Sequence, residues 1–175
     1  MQMLTWWPTA APTLAIVSVA TFTDIRSQRI PNWLVFPSSL AGLAVSTFLH
    51  GWHGLGQSAA GAGLALVVFG IFFWMGGMGA GDVKLCAAVG AWIGPGQMIV
   101  AMVMTGLAGG LMAIVWAVAG GFMGELLRGT GDLIFGWGKR GLRRDPQMTL
   151  ANPLRRRMPY APAIAIGTLM SFLGR

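Results

Sequence analysis

Hydrophobic positions in this chain gather in six runs, at 4–23, 33–49, 57–77, 83–93, 98–121 and 159–173. A helix needs about 20 apolar residues, within a range near 17–25, to cross a bilayer. Four of the runs meet that length. The runs at 83–93 and 159–173 are short, and a short run can instead be re-entrant or buried. Between 94 and 97, Gly94-Pro95-Gly96-Gln97 reads as a turn. Residues 122–158 form the one long polar segment. There Phe122, Leu126, Leu127, Leu133, Ile134, Phe135 and Trp137 alternate irregularly with Arg128, Lys139 and Arg140. That pattern suits an interfacial amphipathic helix, although the glycines from Gly129 to Gly141 weigh against a regular one.

Positive charge orients the runs. If all six cross and the N-terminus lies outside, the inner loops hold Arg26 and Arg29, then Lys84, then Arg128, Lys139, Arg140, Arg143, Arg144, Arg155, Arg156 and Arg157. Only Arg175 falls outside, as the rule that cytoplasmic loops are rich in Lys and Arg demands. Without a crossing at 83–93 the basic loop would land on the wrong face. The expectation is therefore an all-α integral membrane protein: one domain over 1–175, a bundle of about six transmembrane helices, N-out and C-out, with a basic cytoplasmic loop at 122–158 between the last two spans. No Lys or Arg precedes Arg26, so the N-terminus lacks the basic start of a signal peptide. It reads as a first span entering from outside, anchored by Trp6 and Trp7.

Composition agrees. The 175 residues are 55% hydrophobic and 10% charged, against about 25% charged in a soluble domain. The net charge of +7 is the charge of cytoplasmic loops, and no nucleic-acid motif accompanies it. The single cysteine, Cys86, excludes an internal disulfide and a CxxC zinc module. Twelve methionines and 27 glycines suit a lipid-embedded bundle, where small residues let helices approach. Gly106-xxx-Gly110 and Gly120-xxx-Gly124 fit that pattern.

Two of the five acidic residues matter most. Asp24 closes the first run and Asp82 opens the fourth. A carboxylate at membrane depth costs about 2.5–3.5 kcal/mol on insertion scales and usually has a job. On the topology above, both lie at the cytoplasmic side, Asp82 in a thinned or water-accessible recess. Two adjacent carboxylates share a proton, so the ionised one can take a proton from water while the neutral one donates to a substrate carbonyl. The plainer reading makes Asp82 a helix N-cap and leaves Asp24 facing headgroups beside Arg26. Gly77, Gly79 and Gly81 favour the chemical reading, because they would let another backbone approach Asp82.

These residues also resemble a known family. Gly79-Ala80-Gly81-Asp82 matches the GxGD signature of intramembrane aspartyl proteases, and the fuller Gly79-Ala80-Gly81-Asp82-Val83-Lys84-Leu85 resembles the type IV prepilin peptidases. Asp24-Ile25-Arg26-Ser27-Gln28-Arg29-Ile30-Pro31-Asn32 is similar to the family's first aspartate motif, and Met158-Pro159-Tyr160-Ala161-Pro162 to the Pro-aromatic motif that opens its last helix. The resemblance implies an aspartic endopeptidase of the bacterial inner membrane. It would cut the basic leader from prepilins or pseudopilins at the cytoplasmic face, with Asp24 and Asp82 as its catalytic pair. The neighbouring motif residues Gly79, Gly81, Lys84, Pro31, Asn32, Pro159 and Tyr160 are the expected substrate-binding set. No metal or cofactor is expected, and the partners are the substrate and membrane lipid. Bifunctional members carry an extra cytoplasmic segment, often with paired cysteines. This chain resembles the short, peptidase-only type of tight-adherence (Flp) pili, without N-methyltransferase activity.

Three other readings compete. A Cys–His protease would need Cys86 near His50 or His53, which the topology places in an outer loop. A Ser27–Lys84 dyad competes with Ser27 as a loop residue and Lys84 as an inner-face anchor. A small proton-coupled transporter would use the two aspartates as a relay, but relay carboxylates belong near mid-membrane at staggered depths.

Overall fold

A 43-residue helix would be about 65 Å long if straight, roughly twice the hydrocarbon thickness of a bilayer. The chain forms such an element and bends it. The computed structural model describes residues 7–75, 77–121, 124 and 158–173. Over these residues the chain builds α1 (Trp7–Ser27), α2 (Asn32–Trp74), α3 (Ala80–Ala119) and α4 (Ala161–Leu173). The expected basic loop at 122–158 lies outside the described residues except for Gly124 and Met158, and Trp6 and Arg175 also lie outside them.

Inside α2, Gly51 takes φ 61° and ψ −145°. A side chain resists this conformation and glycine does not. The chain folds back there. A Cβ on Gly54 would stand 2.8 Å from His50 Cβ and 2.7 Å from the carbonyl carbon of Ser46. In a straight helix Ser46 and Gly54 would be about 12 Å apart. In α3, Gly94 (φ 72°, ψ 173°) breaks the 40-residue element just before Pro95. Among the described residues, the two arms that Gly51 and Gly94 each separate, plus α1 and α4, make six helical segments, one for each hydrophobic run. The break between the second and third runs is narrower than the run boundaries suggest. Residues 52–56 are helical again, because polar and small residues can sit at a helix end without leaving it.

The outer surface is apolar. Phe22, Leu40, Phe48, Trp52, Val67, Leu107 and Leu111 are all exposed. So continuous an apolar surface belongs in lipid. Both α2 and α3 are long and apolar enough to cross a membrane, and α4 is a shorter apolar helix. The protein is an all-helical membrane protein. Serine and threonine hydroxyls largely bond within their own helices: Thr23 to Ala20, Thr47 to Leu43 and Thr168 to Ile164. This local bonding lets hydroxyls sit in an apolar medium.

The short run at 83–93 is the centre of the bundle, with every residue from 85 to 93 buried. One arm of α2 meets it at Gly42, which touches Ala91 and Trp92, and the other at Gly61, which packs backbone to backbone on Gly90. Two bonds cross these seams: Ser58 Oγ donates to the Ala91 carbonyl at 2.6 Å, and Trp92 Nε1 donates to the Ser38 carbonyl at 2.9 Å. The second arm of α3 runs antiparallel to α4. Gly167 presses on Ala101 and Thr105, and Gln97 Nε2 donates to the Ser171 carbonyl at 3.4 Å.

The glycines that pack are not the pairs read as a motif from the sequence. Gly106, Gly110 and Gly124 have open space where a Cβ would stand. Spacing puts glycines on one helix face, but only the fold decides whether a neighbour covers that face. Gly90→Val, which drives methyls into the Gly61 backbone, should cost about 1–3 kcal/mol or more. Gly106→Ala should leave the unfolding midpoint in detergent unchanged or slightly higher. Equal midpoints for the two variants would contradict this packing.

Candidate active site

Residue 28 ends α1. Gln28 adopts a left-handed φ of 50°, and its N–H donates to the Asp24 carbonyl at 2.8 Å. This is the single-bond left-handed helix cap. Two residues later Ile30 precedes a proline, which disfavours helix there. Pro31 is then the N-cap of α2, and its carbonyl accepts from the Leu34 N–H at 3.1 Å. The connection is so short that the end of α1 and the start of α2 stay side by side.

Asp24 therefore lies in the last turn of α1, and it does not face headgroups. It is 6% exposed, and its Oδ2 accepts a hydrogen bond from the Ala161 N–H at 3.0 Å. The first turn of α4 explains why that donor is free. Pro162 has no N–H. The N–H groups of Ala163 and Ile164 both go to the Tyr160 carbonyl, at 3.0 and 3.3 Å. Ala161 keeps the remaining donor of the turn, at the end of the helix where negative charge is favoured.

Asp82 is not the N-cap of α3. Gly79 is, with φ −76° and ψ 146°. Asp82 is the third helical residue, and its carboxylate turns back beside Gly79. Its Oδ2 lies 2.9 Å from where a Gly79 Cβ would stand, so a side chain at 79 would displace the carboxylate. Gly81 has its own neighbour: Ile30 Cβ lies 3.2 Å from the Cβ position of Gly81. Both glycines thus accommodate groups of this chain.

The two aspartates are close enough to interact electrostatically, with Cys86 and Tyr160 in the same neighbourhood. The Tyr160 hydroxyl fills the space beside Gly109, 2.6 Å from where a Cβ would be. Lys84 Nζ donates to Asn32 Oδ1 at 3.2 Å and lies 5.4 Å from the centre of the Phe36 ring. Beyond Tyr160 the second arm of α3 continues for the ten residues 110–119, about 15 Å at 1.5 Å per residue. Leu111, Met112, Val115 and Trp116 of this stretch, with Met158 and Pro159, line an apolar groove of about 280 Å³.

The fold thus gathers the three motifs at one end of the bundle. It does not gather the residues of the rival proteases. His50 and His53 flank the Gly51 bend at the far end of the first arm of α2, exposed, while Cys86 is buried one turn past Asp82. Ser27 donates to the Thr23 carbonyl at 2.7 Å, whereas Lys84 is engaged with Asn32. Three contacts were not legible in the sequence: those made by the Ala161 N–H, Ile30 and Gly109. The first is backbone and the other two are apolar, so no chemical signature marks them. The proline at 162 is the one local sign of a helix start with a donor to spare.

Known proteins supply an independent comparison. No solved structure matches the chain. A protein named prepilin leader peptidase/N-methyltransferase from Aeromonas hydrophila is 34% identical over 117 residues, covering 62% of this chain and 40% of its own length. Proteins of the same name from Neisseria gonorrhoeae (33% over 125 residues, 66% and 43%) and Bacillus subtilis (27% over 163 residues, 91% and 53%) also match. The chain spans about half the length of these relatives or less. The sequence model of the type IV leader peptidase family matches residues 12–114, a stretch that holds both aspartates, the Ile30-Pro31-Asn32 connection and the glycines before Asp82. With most of its length matched in this way, the chain belongs to the type IV leader peptidase family.

Proposed function

We propose that this protein is an intramembrane aspartic endopeptidase that removes the short basic leader of prepilins or pseudopilins, with Asp24 and Asp82 as its catalytic pair. The observation that carries the reading is the placement of a buried carboxylate, held by the Ala161 N–H, within electrostatic reach of a second one. Two carboxylates in that relation hold one proton between them more cheaply than none. The ionised group takes a proton from water as the water oxygen attacks the scissile carbonyl carbon. The protonated group hydrogen-bonds the carbonyl oxygen as charge develops there. The proton returns to the leaving nitrogen when the C–N bond breaks. The apolar groove beside Tyr160 supports a substrate whose cleavage site adjoins an apolar helix. Pro31, Pro159 and Tyr160 would lie nearest that substrate, whereas Gly79 and Gly81 make room for Asp82 and Ile30, and Lys84 and Asn32 engage each other.

The site belongs at the cytoplasmic face of the bacterial inner membrane, in an N-out, C-out bundle of six crossings. The six helical segments and the basic residues near the aspartate end support this placement. The short peptidase-only type of tight-adherence (Flp) pili, without methyltransferase activity, is the reading most in keeping with one cysteine, itself buried.

Coexpression with a prepilin tests the chemistry. Asp24→Asn and Asp82→Asn should each abolish leader loss on a gel while the protein still inserts, and near-normal processing by either variant would remove the dyad. Thiol labelling tests the topology in a Cys86→Ala background. His53→Cys should react with an impermeant maleimide on intact cells, and Arg29→Cys only after permeabilisation. The reverse pattern would reject the orientation.

A further inference from the structure

Lys84 stands two residues past Asp82, about 200° around the helix, so it turns away from the carboxylate pair. A lysine at the end of a membrane helix has no need of a fixed partner, because its ammonium can reach water. This one is engaged twice, by Asn32 Oδ1 at 3.2 Å and by the Phe36 ring at 5.4 Å. Both partners lie in the first turns of α2. The same seam carries a third contact, where Ile30 packs on Gly81 next to Asp82. From Asn32 the chain runs back through Pro31 and Ile30 to Gln28, whose N–H holds the Asp24 carbonyl at 2.8 Å. Few torsions separate the lysine from the first aspartate, and proline restricts one of them.

We propose that Lys84 is a positioning residue: its bonds to Asn32 and Phe36 latch the start of α2 to α3 and so set the spacing between Asp24 and Asp82. The consequence for catalysis rests on the peptidase reading, but the latch itself does not. Cation and amide are partly exposed, so their loss removes no core packing and the variants should fold. An attack geometry wrong by about 1 Å can cost roughly 100-fold in rate, so even a loosened seam should show in turnover.

The test uses the full chain in liposomes, with Cys86→Ala as background and purified prepilins as substrates. Lys84→Met and Asn32→Ala should each lower kcat roughly 10- to 100-fold. KM should hold within about twofold, the pattern of lost alignment rather than lost binding. The double variant should be no worse than the poorer single one. Lys84→Arg, which keeps a donor for Asn32 and a cation over Phe36, should retain most of the rate. A second readout is independent of cleavage: maleimide labelling of Ile30→Cys should rise several-fold when Lys84→Met is added. Multiplying losses in the double variant, or a change confined to KM, would make Lys84 a substrate contact and overturn the latch. Unchanged labelling at position 30 would overturn it as well. If no prepilin is cleaved by any form but labelling responds, the latch stands and the peptidase reading falls.

Discussion

A carboxylate taken out of water must be given hydrogen bonds, or its burial will not be tolerated. Asp24 is buried, and the donor it receives comes from the other end of the chain, at the start of α4. That bond joins the first helix to the last. It exists because Pro162 withholds one N–H and Tyr160 occupies the next two, leaving Ala161 pointing at the carboxylate. The short connection from Gln28 to Pro31 then delivers Ile30 to Gly81 and Asn32 to Lys84. Asp82 comes within electrostatic reach of Asp24 as a result of these local constraints.

Around that centre, glycines let helices come into close contact beside a core of Val17, Phe69, Leu85 and Ile164. Lipid tails are as apolar as leucine, so burying large residues between helices gains little, and close contact gains more. Gly61 on Gly90, Gly167 on Thr105 and Gly109 against Tyr160 are such contacts. The last of them links packing to chemistry, because Tyr160 is seated by a glycine on α3 while its own carbonyl organises the turn that holds Asp24. Glycine also makes the two hairpins: Gly51 and Gly94 turn two long helices into four arms by adopting conformations in which a side chain is strained.

Membership of the type IV leader peptidase family and the arrangement of the site arise from different kinds of observation that agree. The family match covers the stretch from α1 into the second arm of α3. The geometry adds the region beyond it, where Tyr160 and Ala161 complete the surroundings of both carboxylates. Asp82 lies in the first turn of α3 at its third position rather than at the cap, beside Gly79 and within electrostatic reach of Asp24.

Much was decided by sequence alone. Six hydrophobic runs and the scarcity of charge were enough for an all-helical membrane protein, since hydropathy depends on composition over about 20 residues and little on neighbours in space. Asp24, Asp82 and the three motifs were equally legible, because rare polar residues in apolar surroundings stand out. Tertiary structure alone decided which glycines pack, that the short run at 83–93 is the buried centre, and that Asp24 is bonded to Ala161. It also placed Ile30 over Gly81 and Lys84 against Asn32. Each of these is a contact between residues far apart in sequence, or one made by a backbone N–H, which every residue but proline carries and no sequence pattern distinguishes.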